Sequence, residues 1–334
     1  MGLETLTHLG RKAAQNARAI AGVFVCACAL ALSGCASMWP QTAELRRALP
    51  QGIPESAELR EVPFFPQEEY QCGPASLATV LAASGVKVTP EDLVPQVYLP
   101  ERKGSLQVEM LAAARRHGVV SYQLAPRFED LLRELAAGNP VIVLQNLSVG
   151  DGWHYAVAVG YDYDGGRLVL RSGTTERELM PFTVHEVVWK RSNYWAMVAL
   201  PPDRIPATAE EGRWLSAVAA MERTGNAASA RVAYTSFLKR WPENLSAAVG
   251  LANAHYALGA LPDAERVLRE AMKRAPDSVI VLNNLAQTLS DQGKNEEALP
   301  LIEHAVERTA STASPYSKAV LETRDTIRRR LAGK

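Results

Sequence analysis

Cys72 is the residue of this chain best placed to act as a nucleophile. The segment Gln67-Glu68-Glu69-Tyr70-Gln71-Cys72-Gly73-Pro74-Ala75-Ser76 puts it at the start of an apolar helix. At such a position the unpaired N–H groups of the first turn and the helix dipole favour an anion, which lowers a thiol's pKa. Gly73 removes bulk beside the sulfur, and Pro74 suits a first turn, where its missing N–H costs nothing. The plain alternative is a buried structural cysteine, but such residues sit mid-element among apolar side chains. Cys72 instead lies between Gln71 and Gly73.

A thiol nucleophile needs a proton acceptor within hydrogen-bond reach, and the chain has six histidines. His8 lies in the N-terminal segment that reads as a signal, and His255 and His304 fall in the repeat helices described below. His117 closes a helix, where a cation caps favourably. His185 lies in a mixed stretch, Thr183 to Trp189, with nothing to single it out. His154 differs, because Gly150-Asp151-Gly152-Trp153 delivers it from a turn onto the start of an apolar strand, Tyr155 to Gly160. A lone strand histidine is as often a satisfied core residue as a base. Its type and position alone leave both roles open.

The elements around these residues mix helices and strands from Val62 to about Leu200. Helices are expected over Pro74–Ala83, after the Thr89-Pro90-Glu91-Asp92 start signal, over Ser105–His117 and over Phe128–Ala137. Strands follow at Val141–Gln145, His154–Tyr161, Arg167–Arg171, Glu176–Met180 and Tyr194–Leu200, with Asp164-Gly165-Gly166 as a hairpin turn. Helices first and neighbouring strands second predict an α+β domain with an antiparallel sheet.

Beyond a linker at 201–210 the sequence repeats every 34 residues: Gly225, Gly259 and Gly293; Ala230, Ala264 and Ala298; Tyr234, Leu268 and Ile302; Pro242 and Pro276. This register resembles the tetratricopeptide repeat, paired antiparallel helices that meet across a small residue. Three units fit residues 211–312, although Ala310 replaces the third proline. The Arg-rich segment 313–334 is expected to form the capping helix. The resemblance implies an all-α domain that binds a protein partner.

At the other end, Arg11, Lys12 and Arg18 precede a 14-residue apolar run, Ala19 to Leu32. That run is shorter than the roughly 20 residues of a spanning helix. Leu32-Ser33-Gly34-Cys35 resembles the lipobox of bacterial lipoproteins. The resemblance implies removal of residues 1–34, lipidation of Cys35, and a membrane contact through that lipid. Ala36, in place of an aspartate, points to the outer membrane facing the periplasm. Residues 35–61, with Pro40, Pro50, Gly52 and Pro54, are then expected to be a lipidated tether. Cys26 and Cys28 would leave with the signal, so Cys72 would be the mature chain's one free thiol, with no disulfide and no cysteine zinc site.

Taken together, Gln-x4-Cys-Gly-Pro-Ala-Ser and Gly-Trp-His-Tyr-Ala-Val-Ala-Val-Gly-Tyr-Asp resemble the C39 and C39-like cysteine peptidases of the papain-like superfamily, over residues 62–200. The resemblance implies Cys72 as nucleophile, His154 as base, and Gln67 as an oxyanion donor together with the Cys72 backbone N–H. It implies a peptide or protein substrate. Such peptidases usually carry an aspartate on the strand after the histidine to orient the imidazole. Here Ser172 stands in that place, and Asp162 is the alternative.

The 36 basic and 36 acidic side chains cancel, which argues against a nucleic-acid partner. No metal-ligand cluster, phosphate loop or paired-carboxylate signature stands out, so neither a metal nor a cofactor is expected. Glu68-Glu69 and Glu296-Glu297 read as solvated surface.

Overall fold

The computed structural model describes residues 39–66, 71–147, 152–310 and 315–333. Residues 1–38, with Cys35 and the expected signal, Gln67 and residues 148–151 lie outside them. The chain opens with α1 (Pro40–Leu45) and β1 (Ser56–Glu58), then α2 (Cys72–Ala83) and α3 (Pro90–Val97). A small hairpin, β2 (Tyr98–Leu99) and β3 (Gly104–Ser105), precedes α4 (Gln107–Arg116), β4 (Val120–Gln123) and α5 (Phe128–Ala136). Then come β5 (Val141–Asn146), β6 (Trp153–Asp162), β7 (Arg167–Ser172), β8 (Thr175–Pro181), α6 (Phe182–Lys190) and β9 (Ala196–Leu200).

The strands pair antiparallel in the order β4-β9-β5-β6-β7-β8, and β1 joins β6 where β5 ends, Glu58 opposite Gly160 and Val141 opposite Ala158. Strand alternation sorts the core into two layers. Ile142, Leu144, Tyr155, Val157, Val159 and Met197 face α2, α3 and α4, whereas Val143, Ala156, Ala158, Leu168 and Val198 face α5 and α6. Helix α2 is buried from Gly73 to Leu81 because it is the middle of the first layer. Gly160 allows β1 to approach: a Cβ there would sit 2.5 Å from Ala57 O.

The repeats follow as α7 (Glu211–Glu222) with α8 (Ala227–Arg240), α9 (Leu245–Ala257) with α10 (Leu261–Arg274), and α11 (Val279–Asp291) with α12 (Asn295–Ala310). Helix α13 (Ser317–Ala332) packs on the end. The periodic residues do what their spacing implies. Ala230, Ala264 and Ala298 are wholly buried, and Gly225, Gly259 and Gly293 follow the first helix of each unit with φ of +85°, +72° and +79°.

Three expectations need correction. Residues from Trp39 onward are not a tether. Glu186, buried on α6, accepts from the N–H groups of Gln41 (2.9 Å) and Thr42 (2.6 Å), Leu45 enters the core, and β1 is a sheet strand. The proline-rich composition was misleading because Pro40 starts a helix whose anchor lies over 140 residues away. Second, the stretch Thr183–Trp189 is helix α6, and Val120–Gln123 is a strand. Third, the linker 201–210 is docked. Buried Glu134 accepts from Ala207 N, Thr208 N and Thr208 Oγ1. Just beyond, Trp214 lies edge-on to Tyr122 of β4 with ring centres 5.7 Å apart, so one apolar core runs from the sheet into the first repeat.

Candidate active site

Cys72 is the first residue of α2, with Gln71 at the N-cap. Ala75 N–H is the first to reach back, to Gln71 O at 3.1 Å, so the turn before it presents free N–H groups. Gly73 is needed for packing: a Cβ there would lie 2.1 Å from Ser105 Oγ, on the small β2–β3 hairpin. Ser76 Oγ donates to Tyr155 O at 3.2 Å, which ties the helix to the start of β6.

That tie brings the thiol to the histidine end of the strand. Burial raises the thiol pKa above its ordinary value, and backbone N–H groups of Tyr155, Gly73 and Cys72 itself oppose the shift without overcoming it. The expectation that the helix start would make Cys72 unusually acidic is therefore corrected. The dipole is present, but desolvation of a thiolate in a packed layer is the larger effect. Tyr155, the residue after His154, is buried and its hydroxyl donates to Ser105 O at 3.2 Å. Its ionisation is pushed up by burial and by the neighbouring Cys72 charge.

His154 is partly buried, opposite Gln145 of β5, and burial lowers its pKa. Its Nε2 lies 3.0 Å from Ser172 Oγ, at the end of β7. Among the described residues no hydrogen bond engages Nδ1 or joins the imidazole to the sulfur. Cys72 and His154 thus rest as a neutral thiol and a neutral imidazole. Asp162 is at the far end of β6, eight strand positions or about 26 Å from His154. It accepts from Gly165 N (3.0 Å) and Arg167 Nη2 (3.2 Å), which hold its carboxyl below the usual range. The alternative third residue is therefore a hairpin brace.

Three other histidines have structural explanations. His185 is wholly buried, its Nδ1 2.9 Å from Gln145 Nε2, and its pKa is pushed down to about 3 by burial. His117 caps α4 and meets Gln96 at 3.2 Å, and His304 pairs with Asp277 at 3.0 Å on the surface. Residue-by-residue reading missed Ser105, Tyr155 and Arg171. Buried Arg171 donates to Val62 O (3.1 Å), Arg60 O (3.4 Å) and Glu176 O (2.5 Å), pinning the turn that follows β1. Its place beside Ser172 was the available signal. Among the described residues no group of His, Cys, Asp and Glu is arranged to hold a metal, and no helix is long and apolar enough to cross a membrane.

Residues 59–197 match the Peptidase_C39 like family, and residues 221–278 and 280–315 match two tetratricopeptide-repeat families. The chain joins a C39-like domain to tetratricopeptide repeats. A C39-like peptidase from Bacillus anthracis is similar, with 18% identity and a TM-score of 0.38, over 44% of this chain and 98% of that one. A double-glycine motif protease from an AMS/PCAT transporter, solved with its leader peptide, has 21% identity and a TM-score of 0.33, over 42% of this chain and 91% of that one. On the repeat side, the Sgt2 tetratricopeptide domain of Aspergillus fumigatus has 21% identity and a TM-score of 0.34, over 37% of this chain and 81% of that one. The comparison with curated proteins found no match. The site of the C39-like domain thus gathers residues from α2, the start of β6, the end of β7 and the β2–β3 hairpin.

Proposed function

We propose that the protein is an envelope-anchored cysteine peptidase, with Cys72 as nucleophile, His154 as base and the repeats as the holder of a protein partner or substrate. One observation carries the reading. Ser76, four residues after Cys72 on α2, donates to Tyr155 O, next to His154, so the helix start carrying the thiol is tied to the histidine strand, while Nε2 of the imidazole lies 3.0 Å from Ser172 Oγ.

The chemistry follows from that arrangement. With Nε2–H donating to Ser172 Oγ, Nδ1 is left as the acceptor. Nδ1 takes the thiol proton as the sulfur attacks the scissile carbonyl carbon. The carbonyl electrons move onto oxygen, which the Cys72 N–H and Gln67 would stabilise. As the C–N bond breaks, the imidazolium returns its proton to the leaving amine and an acyl-thioester remains. Water, deprotonated by His154, then releases the carboxylic acid and restores the thiol. Ser172 fixes the ring and its tautomer but supplies no negative charge to the imidazolium, so the activity is modest.

The repeats have a groove lined by Ala252, Leu268, Asn253, Asn283, Asn284 and Gln287, where amide side chains can pair with an extended backbone. A lipid on Cys35 would place the protein in a bacterial envelope, at the periplasmic face of the outer membrane. Trp39, the first described residue, is four residues on, at most about 14 Å of extended chain. The domain would then be held close to the lipid surface.

A second reading, a non-catalytic binding module on a repeat scaffold, is favoured by the neutral resting pair and the absent third carboxylate. Incubation with a degenerate peptide mixture separates the two. New peptide termini should appear by mass spectrometry with the wild type and not with Cys72→Ser. Identical peptide profiles for the two proteins would exclude the peptidase reading.

A further inference from the structure

Between the C39-like domain and the first repeat lies a cleft of about 340 Å³, lined by Leu111, Arg115, Ser121, Tyr122, Arg213 and Ala217 among others. Its charge is unbalanced. Arg115, on α4, donates from Nε to Ser121 Oγ at 2.9 Å, and Ser121 Oγ in turn donates to Leu111 O at 3.0 Å. This fixes the guanidinium plane while its two terminal nitrogens have no acceptor among the described residues. Arg213, from α7, lies over the Tyr122 ring with its guanidinium carbon 5.4 Å from the ring centre, and donates to Gln123 O at 2.8 Å. Arg223, at the end of α7, is near enough that its charge adds to burial in lowering the basicity of Arg115.

No carboxylate pairs with Arg115 or Arg223 among the described residues. Glu210, the acid beside Arg213, is shared: it lies 3.3 Å from Arg127 and 4.0 Å from Arg213. Two guanidiniums, Arg115 and Arg213, line this partly desolvated cleft with Arg223 close to the first, and a bound oxyanion there would take charge-assisted hydrogen bonds from the nitrogens left without an acceptor. The rest of the wall is apolar or aromatic, from Leu111, Ala217 and Tyr122. A bare phosphate would leave that wall uncovered, whereas a carboxylate on an aliphatic stem covers it.

We propose that this cleft binds the side-chain carboxylate of an acidic peptide segment, bridging the C39-like domain and the first repeat. The site uses neither Cys72 nor His154, so it stands whether or not the domain is catalytic. A ligand seated there touches α4 and α7 together, one element from each domain, and so fits only while the two are docked.

The test titrates the full chain with a fluorescein-labelled, C-terminally amidated peptide, Ala-Glu-Leu-Glu-Ala. Its Gln-for-Glu counterpart and inorganic phosphate serve as competitors, and anisotropy is the readout. The acidic peptide should bind on the order of 10-fold tighter than its Gln counterpart, as expected for loss of charge-assisted contacts. Arg115→Gln and Arg213→Gln should each weaken it by roughly 5-fold or more. Arg223→Gln, at an exposed position, should weaken it by roughly 2-fold without disturbing the fold, which keeps the test valid if the first two unfold. Equal binding of the Gln peptide, unchanged affinity in the arginine variants, or displacement by phosphate at lower concentration than by the unlabelled acidic peptide would each overturn the proposal.

Discussion

The two halves of this molecule are built on opposite logics. In the repeats each unit packs mainly on its neighbours, and the residues that matter recur at a fixed interval: Ala230, Ala264 and Ala298 occupy equivalent buried positions. In the C39-like domain the decisive contacts are distant in sequence. Ser76, beside Cys72 on α2, meets Tyr155 at the start of β6 some 80 residues later, and His154 meets Ser172 across a hairpin. Local contacts make a domain legible and tolerant, because damage to one unit is confined to its neighbours. Long-range contacts make a site that a single substitution can dismantle.

The sharpest way to break this contrast is at the site itself. Cys72→Ser and His154→Ala should each lower peptide turnover by about 10³-fold or more, as removal of a nucleophile or its base does. Thermal unfolding should be unchanged within about 1 kcal/mol, since both side chains are only partly buried. Quantified product peptides and a melting curve check both statements.

Next in size is the seam. Trp214 is fully buried against Tyr122, so Trp214→Ala should destabilise by about 3–5 kcal/mol. If the two halves form one cooperative unit, calorimetry of the wild type gives one transition and the variant separates it into two. Two transitions in the wild type would show that the seam does not couple them.

A smaller effect belongs to the third site residue. Ser172→Asp should raise the imidazole pKa, because a carboxylate favours the charged ring where a hydroxyl does not. A rise of about one unit, read by NMR titration of His154, is expected. No movement would place Ser172 outside the catalytic arrangement. Smallest of all, Asn244 caps α9 by accepting from Ala247 N at 2.8 Å, and Asn244→Ala should cost about 1 kcal/mol. Chemical denaturation of the full chain measures it, and turnover at the site should not change.

This contrast also explains how far the sequence could be read. The repeats were legible because their spacing is the structure: Gly225, Gly259 and Gly293 mark each turn by themselves. Helices α2 and α3 and strands β5 to β9 were legible within a few residues from apolar runs and breakers, which also set Cys72 at a helix start, His154 on a strand and Ser172 at the end of the next one. Helix α6 was not, because Val184, Val187 and Val188 are β-branched and Val184 points to solvent, which blurs the helical period. The segment after Trp39 was not, because its partners are Glu186 and β6. The ionisation of Cys72 was misjudged for the same reason. The helix start is local, but the burial that outweighs it comes from the sheet and the hairpin folded over it.

The central claim is that Cys72 and His154 form a nucleophile–base pair that rests uncharged. The pH dependence of Cys72 alkylation by iodoacetamide, in the wild type and in His154→Ala, tests it most directly. Because burial raises the thiol and lowers the imidazole, the wild-type rate should climb through an alkaline step above the ordinary thiol pKa of about 8.5. No plateau should appear near neutrality, where the imidazole is already deprotonated. At pH 7 the histidine should still matter, and His154→Ala should react about 10-fold more slowly, in line with loss of a general base. A plateau beginning below pH 6, or identical profiles for the two proteins, would contradict the account.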